Sequence, residues 1–365
     1  MSELYEIASS SGHYSVLLGE RLLESAIARH PDAIFVVDAA LAERLPAYVK
    51  RVLTIEATEA NKALEAMPGF VAELRQLEAN RDTHLVVIGG GTIQDIATFL
   101  ASIYMRGVSW TYLPTTVLSM ADSCIGGKSS INVLGFKNLV GNFFPPRDIV
   151  IDLEFITTLD RGMIVGGLFE AAKICYAHSS ERFAAYLAAE PSGSVTPDQI
   201  RPIVSLALLT KKWFIETDEF DQKERLLLNF GHTFGHAIEA ASNFTVSHGV
   251  AVGAGMLIAC EFARQTVELS EAGVETTGAL CRHIRDMLRQ GAGSSIAIPP
   301  ALNLELAMQK FEYDKKHKTE NYRVVIPDRD GRLALTSVVR DDATRGDIER
   351  AYRQALSSIG WLVTS

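Results

Sequence analysis

The chain has 365 residues, 47% of them hydrophobic and 22% charged, enough apolar material for two ordinary domains with buried cores. Its formal charge of −9 excludes a general nucleic-acid surface, because phosphate binding at that scale needs a basic excess. Any anionic ligand must instead meet a local cluster of Lys and Arg. The four cysteines (Cys124, Cys175, Cys260 and Cys281) are far apart and form no CxxC pair, as expected of reduced thiols in a cytoplasmic protein. The N-terminus has no basic segment followed by an apolar run, so no signal peptide is expected. No uncharged apolar stretch reaches the roughly 18 residues of a membrane span.

In chain order, AIFVVD (33–38) reads as a buried strand, followed by the helical pattern AALAERLPAYVKR. RVLTIEA (51–57) is a second strand, and NKALEAMPGFVAELRQLEAN a helix. THLVVIGGG (83–91) is a third strand ending in glycines, TIQDIATFLASIYMRG the helix after it, and VSWTYLPTT (108–116) a fourth strand. Strands alternating with helices predict a parallel sheet in an α/β domain. From about residue 161 alanine- and leucine-rich helical patterns dominate, as in GGLFEAAKICYAHSSERFAAYLAAE and IRPIVSLALLTKKWFIET. The predicted domains are 1–160, α/β, and 161–365, mainly α-helical.

Gly89, Gly90 and Gly91 lie where a strand hands over to a helix, a place that suits close approach of a phosphate to backbone amides. Gln94 stands where the third glycine of GxGxxG belongs, so the turn departs from the Rossmann fingerprint. A turn with no ligand is the plain alternative. Asp38, at the end of its strand, is suited to bonding a ribose hydroxyl.

His232, His236 and His248 fall within seventeen positions, beside Gly231, Gly235 and Gly249. The first two are four apart and face one side of a helix. Lone histidines in such helices are commonly core residues, but three together point to a metal. Glu170, in the apolar helix GGLFEAAK, is the best carboxylate to complete the set, and zinc suits a His/carboxylate mixture. Lys128, Lys137, Lys173, Arg106 and Arg225 occupy unusually apolar surroundings. Singly each reads as a surface cation with a buried stem; together they suggest a pocket for an anion with more than one charged group. GGKSS lacks the GxxxxGK spacing of an NTPase P-loop.

GGGTIQD, YMRGVSWTYLPTT, ADSCIGGKSSIN, KNLVG, GLFEAAK, NFGHTFGHAIE and HGVAVGAGM, in this order, resemble the sugar phosphate cyclases, the 3-dehydroquinate synthase family, over roughly residues 33–330. The resemblance implies an NAD- and metal-dependent cytoplasmic homodimer with an α/β N-terminal domain, a nucleotide site that is not GxGxxG, and a helical C-terminal domain. It implies Glu170, His232 and His248 as ligands of zinc, or cobalt in its place, and His236 as a substrate-side residue. Asp38, Glu59, Lys62, Gly89, Gly90, Gly91, Asp95, Thr115, Thr116 and Asp122 match NAD positions. Lys128, Lys137, Asn138, Lys173, Lys211, Arg225 and Asn229 match substrate contacts, with Asp122 beside them. Arg106 matches an arginine that reaches the phosphate of the partner subunit, and Lys315 or Lys316 a further phosphate contact. The implied reaction turns 3-deoxy-D-arabino-heptulosonate 7-phosphate into 3-dehydroquinate and phosphate. It runs by transient oxidation, elimination, re-reduction and aldol closure.

Departures from the family pattern bear on the substrate. Phe136 stands where glycine is typical, Phe169 where alanine is common, GGKSS replaces GGKTG or GGKTA, and LSMADSC differs before Asp122. The alternative substrates are sedoheptulose 7-phosphate or another sugar phosphate; retention of Lys211 and Arg225 favours the carboxylate-bearing heptulosonate. Two further alternatives are a metal-dependent NAD polyol dehydrogenase, which would have no use for the lysines, and a non-catalytic nucleotide-binding homologue.

Overall fold

The computed structural model describes residues 2–289, 302–314 and 317–362. The chain divides into two compact units, Met1–Thr158 with Thr196–Glu219, and Leu159–Val195 with Phe220–Ser365. Lys315 and Lys316 lie outside the described residues.

The first unit begins with β1 (Glu3–Ser9), β2 (Gly12–Gly19), α1 (Leu23–Ala28), β3 (Ile34–Asp38), β4 (Val52–Ile55) and α2 (Met67–Gln76). It continues with β5 (Leu85–Gly89), α3 (Gly91–Ile103), β6 (Trp110–Pro114), β7 (Ile131–Val133), β8 (Phe136–Val140) and β9 (Asp148–Asp152). Seven strands form one sheet in the order β1-β2-β9-β6-β5-β3-β4, parallel except for the β1–β2 hairpin. β3 and β5 read as near-continuous apolar runs because both faces are buried. The chain leaves β3 toward β4 and leaves β5 toward β6, in opposite directions. The β3/β5 crevice is therefore a topological switch point, where open α/β sheets take ligands beyond the strands' carboxyl ends.

Two sequence expectations change, and the structure adds strands that the sequence does not announce. AALAERLPAYVKR forms only a 3₁₀ helix, Ala39–Arg44, since Pro46 has no amide hydrogen to extend it. The terminal hairpin and β9 carry no strong sequence signal. The other changed expectation concerns the segment IRPIVSLALLTKKWFIET. It is helical, but Thr196–Glu219 packs with the first unit, against β1 and a π-helical turn at Ser119–Ser123, and not with the helices around it in sequence.

The second unit carries α4 (Arg161–His178) and α5 (Ser180–Ala188), which precede α6 (Pro197–Thr217) of the first unit. It resumes with α7 (His232–Ala241), α8 (His248–Thr266), α9 (Glu271–Arg289), α10 (Leu304–Glu312), a β10–β11 hairpin (Asn321–Pro327, Leu333–Val339) and α11 (Asp342–Ser358). α4 and α8 are buried almost all round, so they form the centre of this unit, with α7 and α11 against α8.

At the amino ends of β5 and β6, the end of the strands away from the crevice, His84 bonds Ser109 Oγ and Thr111 Oγ1, each at 2.9 Å, and stacks on His30 with ring centroids 4.4 Å apart. Burial, with the neighbouring His30 and Arg147, pushes its pKa down from 6.5 to about 4. The folded state thus binds fewer protons than the unfolded chain between these values. This contribution to stability is complete above pH 6.5 and is lost as pH falls toward 4. Melting temperatures across that window should fall more steeply for the wild type than for His84→Gln; parallel curves would contradict the assignment.

Candidate metal centre and nucleotide-binding edge

The metal candidates meet because three helices cross at glycines. A Cβ on Gly249 of α8 would stand 2.4 Å from the Gly166 carbonyl oxygen of α4. A Cβ on Gly255 would stand 2.0 Å from the Gly231 oxygen, and one on Gly235 of α7 2.7 Å from the Ala251 oxygen of α8. With no side chains in these contacts the backbones approach closely. The residues beside the glycines then face each other: Glu170 one turn after Gly166, His248 before Gly249, and His232 after Gly231. Gly231, at φ 75°, also supplies the left-handed turn that starts α7.

His248 Nε2 lies 3.5 Å and His232 Nε2 3.8 Å from Glu170 Oε1. Two ligands held about 2.1 Å from one tetrahedral zinc stand about 3.4 Å apart, so this donor set has the right spacing to close on such an ion. The other nitrogens have partners on the far side. His232 Nδ1 is 3.3 Å from the Phe230 carbonyl, and His248 Nδ1 is 3.2 Å from Glu239 Oε2. Glu170 and Lys173 are both almost fully buried and form an ion pair through Glu170 Oε2, so the two carboxylate oxygens face different partners. Burial draws the His248 pKa down, but the hydrogen bond and charge of Glu239, with the charge of Glu170, outweigh it and leave it raised.

His236 lies in the same cluster: one nitrogen from each of His232, His236 and His248 falls within 4.8 Å of the others. The geometry therefore offers His236 as a ligand as well as the substrate-side residue that the family pattern implies. Its Nδ1 is 3.9 Å from Asp314 Oδ2. Arg225 is buried in the same unit, and the Asn229 side-chain amide donates to the Leu226 carbonyl at 3.1 Å. Phe169 is fully buried, its ring in the space that a side chain on Gly253 would need, and edge-on to His283. The glycine at 253 makes room for the phenylalanine, which fills core.

In the first unit, Asp38, Gly89–Gly91 and Thr115–Thr116 all sit at the carboxyl ends of the adjacent strands β3, β5 and β6. Gly90 caps α3 without a side chain over the first-turn amides, so this N-terminus at the switch crevice fits a phosphate group. The glycines also have packing reasons, because a Cβ on Gly89 would be 2.6 Å from Ile93 Cβ and one on Gly90 3.0 Å from Thr116 Cγ2. Gln94 binds Ser123 through two hydrogen bonds, 2.7 Å to its carbonyl and 2.5 Å from its hydroxyl, tying α3 to the π-helical turn that carries Asp122. That tie accounts for glutamine in place of the third glycine. Asp38 accepts the Ala40 amide at 3.1 Å, so it also caps its own turn.

Asn132, which the sequence reading did not single out, joins two groups of candidates. Its amide nitrogen donates to Glu59 Oε2 at 2.7 Å, its oxygen accepts the Asn138 amide at 3.0 Å, and its own backbone amide donates to the Lys62 carbonyl at 3.0 Å. Lys62 Nζ is 2.7 Å from Asp95 Oδ2, and Lys137 Nζ is 3.3 Å from Glu59 Oε1. Lys211, on α6, is buried with its ammonium 2.5 Å from Asp122 Oδ1. Lys128 Nζ lies 5.8 Å from the centre of the Phe143 ring. Phe136 is 68% exposed at the start of β8. Arg106 is exposed on the turn after α3, where it and Met105 both hold left-handed backbone, with φ of 70° and 50°.

The crossing geometry makes a direct prediction. Gly249→Ala puts a methyl group into the Gly166 backbone, and overpacking of this kind costs about 1–3 kcal/mol. The variant should melt lower than the wild type and bind zinc roughly tenfold or more weakly, about 1.4 kcal/mol. Unchanged melting and zinc affinity would refute the role assigned to the crossing.

Comparison with known proteins points one way. The 3-dehydroquinate synthase N-terminal and C-terminal family profiles match residues 52–165 and 167–317. A 3-dehydroquinate synthase of Saccharolobus solfataricus is 34% identical over 300 residues, 81% of this chain and 82% of the relative. One of Xylella fastidiosa is 31% identical over 361 residues, 91% and 88% of the two chains. Among solved structures, 2-deoxy-scyllo-inosose synthase in complex with carbaglucose-6-phosphate, NAD⁺ and Co²⁺ aligns with a TM-score of 0.81 at 22% identity, over 96% of this chain and 99% of that one. The 2-epi-5-epi-valiolone synthase of Streptomyces hygroscopicus, with NAD⁺ and Zn²⁺ bound, aligns with a TM-score of 0.76 at 23% identity, over 94% and 97%. At these identities the structures establish the shared fold, and the sequence matches establish the lineage: the chain belongs to the 3-dehydroquinate synthase family.

Proposed function

We propose that the protein is a 3-dehydroquinate synthase, a carbon–oxygen lyase that converts 3-deoxy-D-arabino-heptulosonate 7-phosphate to 3-dehydroquinate and phosphate, with NAD and a divalent ion, zinc or cobalt, as cofactors. Relatives named 3-dehydroquinate synthase, matched over 82–88% of their length, support the reading. The observation that carries it is the convergence of His232 and His248 Nε2 on Glu170 Oε1. When bound, NAD supplies a reversible hydride acceptor and the ion supplies Lewis acidity.

The remaining work falls to the chain. Glu170, His232 and His248 hold the ion. The first unit binds NAD through the open N-terminus of α3 at Gly89–Gly91, with Asp38, Glu59, Lys62, Asp95, Thr115, Thr116 and Asp122 around the cofactor. Lys128, Lys137, Lys173, Lys211 and Arg225 provide charge for a substrate carrying both a carboxylate and a phosphate, and Asn138 and Asn229 provide amide hydrogen bonds. Buried cations such as Lys211 and Arg225 interact strongly with an anion, because less water screens them. His236, backed by Asp314, is placed to hold and transfer a proton. Lys315 and Lys316 stay assigned from the sequence pattern alone.

The protein would act as a homodimer in which Arg106 serves the partner's phosphate site; its exposure and unusual backbone suit an outward-reaching role. A cytoplasmic location goes with four buried free thiols. Among the described residues no helix is long and apolar enough to cross a membrane.

Neither phenylalanine departure favours a different sugar phosphate: Phe169 packs against Gly253 and Phe136 faces outward on a hairpin. With zinc and catalytic NAD, phosphate and 3-dehydroquinate should form together from the heptulosonate phosphate, without net NADH. Release from sedoheptulose 7-phosphate alone would move the protein to another cyclase activity, and accumulating NADH would make it a polyol dehydrogenase.

A further inference from the structure

We propose that Glu239 is a positioning residue of the metal centre: its carboxylate accepts the Nδ1 hydrogen of His248 and so commits Nε2 to the ion. The inference rests on reading Glu170, His232 and His248 as the ligands. A neutral imidazole carries one N–H, and an ionised carboxylate can only accept. With Glu239 Oε2 3.2 Å from Nδ1, the proton belongs on that nitrogen and the lone pair on Nε2, which faces Glu170 Oε1 at 3.5 Å. The ring thus bridges two carboxylates, one toward the metal position and one behind it. Outer carboxylates of this kind fix the tautomer and raise the basicity of a ligating histidine.

A solvated surface acid is the plain alternative for a glutamate on a helix, but only 12% of this side chain is exposed. Its place on α7 is also specific. His232, His236 and Glu239 follow at four and three residues, so one face of the helix presents a ligand, a neighbouring imidazole and the support for a ligand on α8. His232 gets its orientation from a neutral acceptor, the Phe230 carbonyl. At His248 the group behind the ring is a carboxylate. The Glu239 backbone carbonyl accepts the Phe244 amide at 2.9 Å and the Ser242 hydroxyl at 2.9 Å. Substituting the side chain leaves these turn contacts in place.

The test is zinc affinity of the metal-stripped full chain at fixed pH, measured by competition with a chromophoric chelator, for wild type, Glu239→Ala, Glu239→Gln and His248→Ala. Glu239→Ala should bind zinc about 10–100-fold more weakly, while the metal-free protein melts as the wild type does. Glu239→Gln keeps an acceptor without the charge and should lose less, under about tenfold. Wild-type affinity in Glu239→Ala, with His248→Ala weakened, would overturn the positioning role and leave the ligand set standing. Wild-type affinity in His248→Ala would instead overturn the ligand set itself. Should Glu239→Ala fail to fold, the isosteric Glu239→Gln decides: a loss supports the role, and no loss rejects it.

Discussion

Everything chemical in the second unit depends on backbones touching where α4, α7 and α8 cross. Side chains normally hold helix axes about 8–10 Å apart. At Gly166/Gly249, Gly231/Gly255 and Gly235/Ala251 the usual side-chain spacer is missing, and a single methyl would collide with a carbonyl oxygen. Short side chains of moderate reach, one carboxylate and two imidazoles, can then converge from three separate helices. The glycines beside the histidines thus serve the proposed metal site by letting its side chains meet.

Close crossing also buries charge. Glu170 and Lys173 lie three residues apart on a helix buried on nearly every side, where an unpaired charge would cost several kcal/mol. The ion pair through Oε2 offsets part of that cost and turns Oε1 toward His232 and His248. The first unit solves a related problem differently. Its cations and acids are linked into a network through Asn132, so Lys62, Lys137, Glu59 and Asp95 are held by fixed partners at the polar edge of an apolar sheet.

Much of this was legible in the sequence where the signal is local. The apolar runs of β3 and β5, the glycine turn into α3, and the His232–His236 spacing each declare themselves within a few residues. What failed was non-local. The amphipathic pattern of α6 reports a buried face but not what buries it, and the face is claimed by the first unit, where Lys211 meets Asp122. Phe169 looked like a threat to the pocket because Gly253, the residue that accommodates it, lies 84 positions away. Gln94 departs from the GxGxxG pattern, and its partner Ser123 lies 29 residues away, beyond the reach of a local motif. Glu239 lies within NFGHTFGHAIE, but in sequence a glutamate on a helix carries no mark of the imidazole it faces.

The central claim is that the glycine crossings assemble one metal site from Glu170, His232 and His248. Anomalous diffraction at the zinc edge from crystals of the zinc-loaded protein tests it most directly. The account predicts one strong peak bonded to Glu170 Oε1, His232 Nε2 and His248 Nε2, with His236 outside the coordination sphere. A peak bonded to all three histidines with Glu170 still turned to Lys173, or no peak at this crossing, would contradict it.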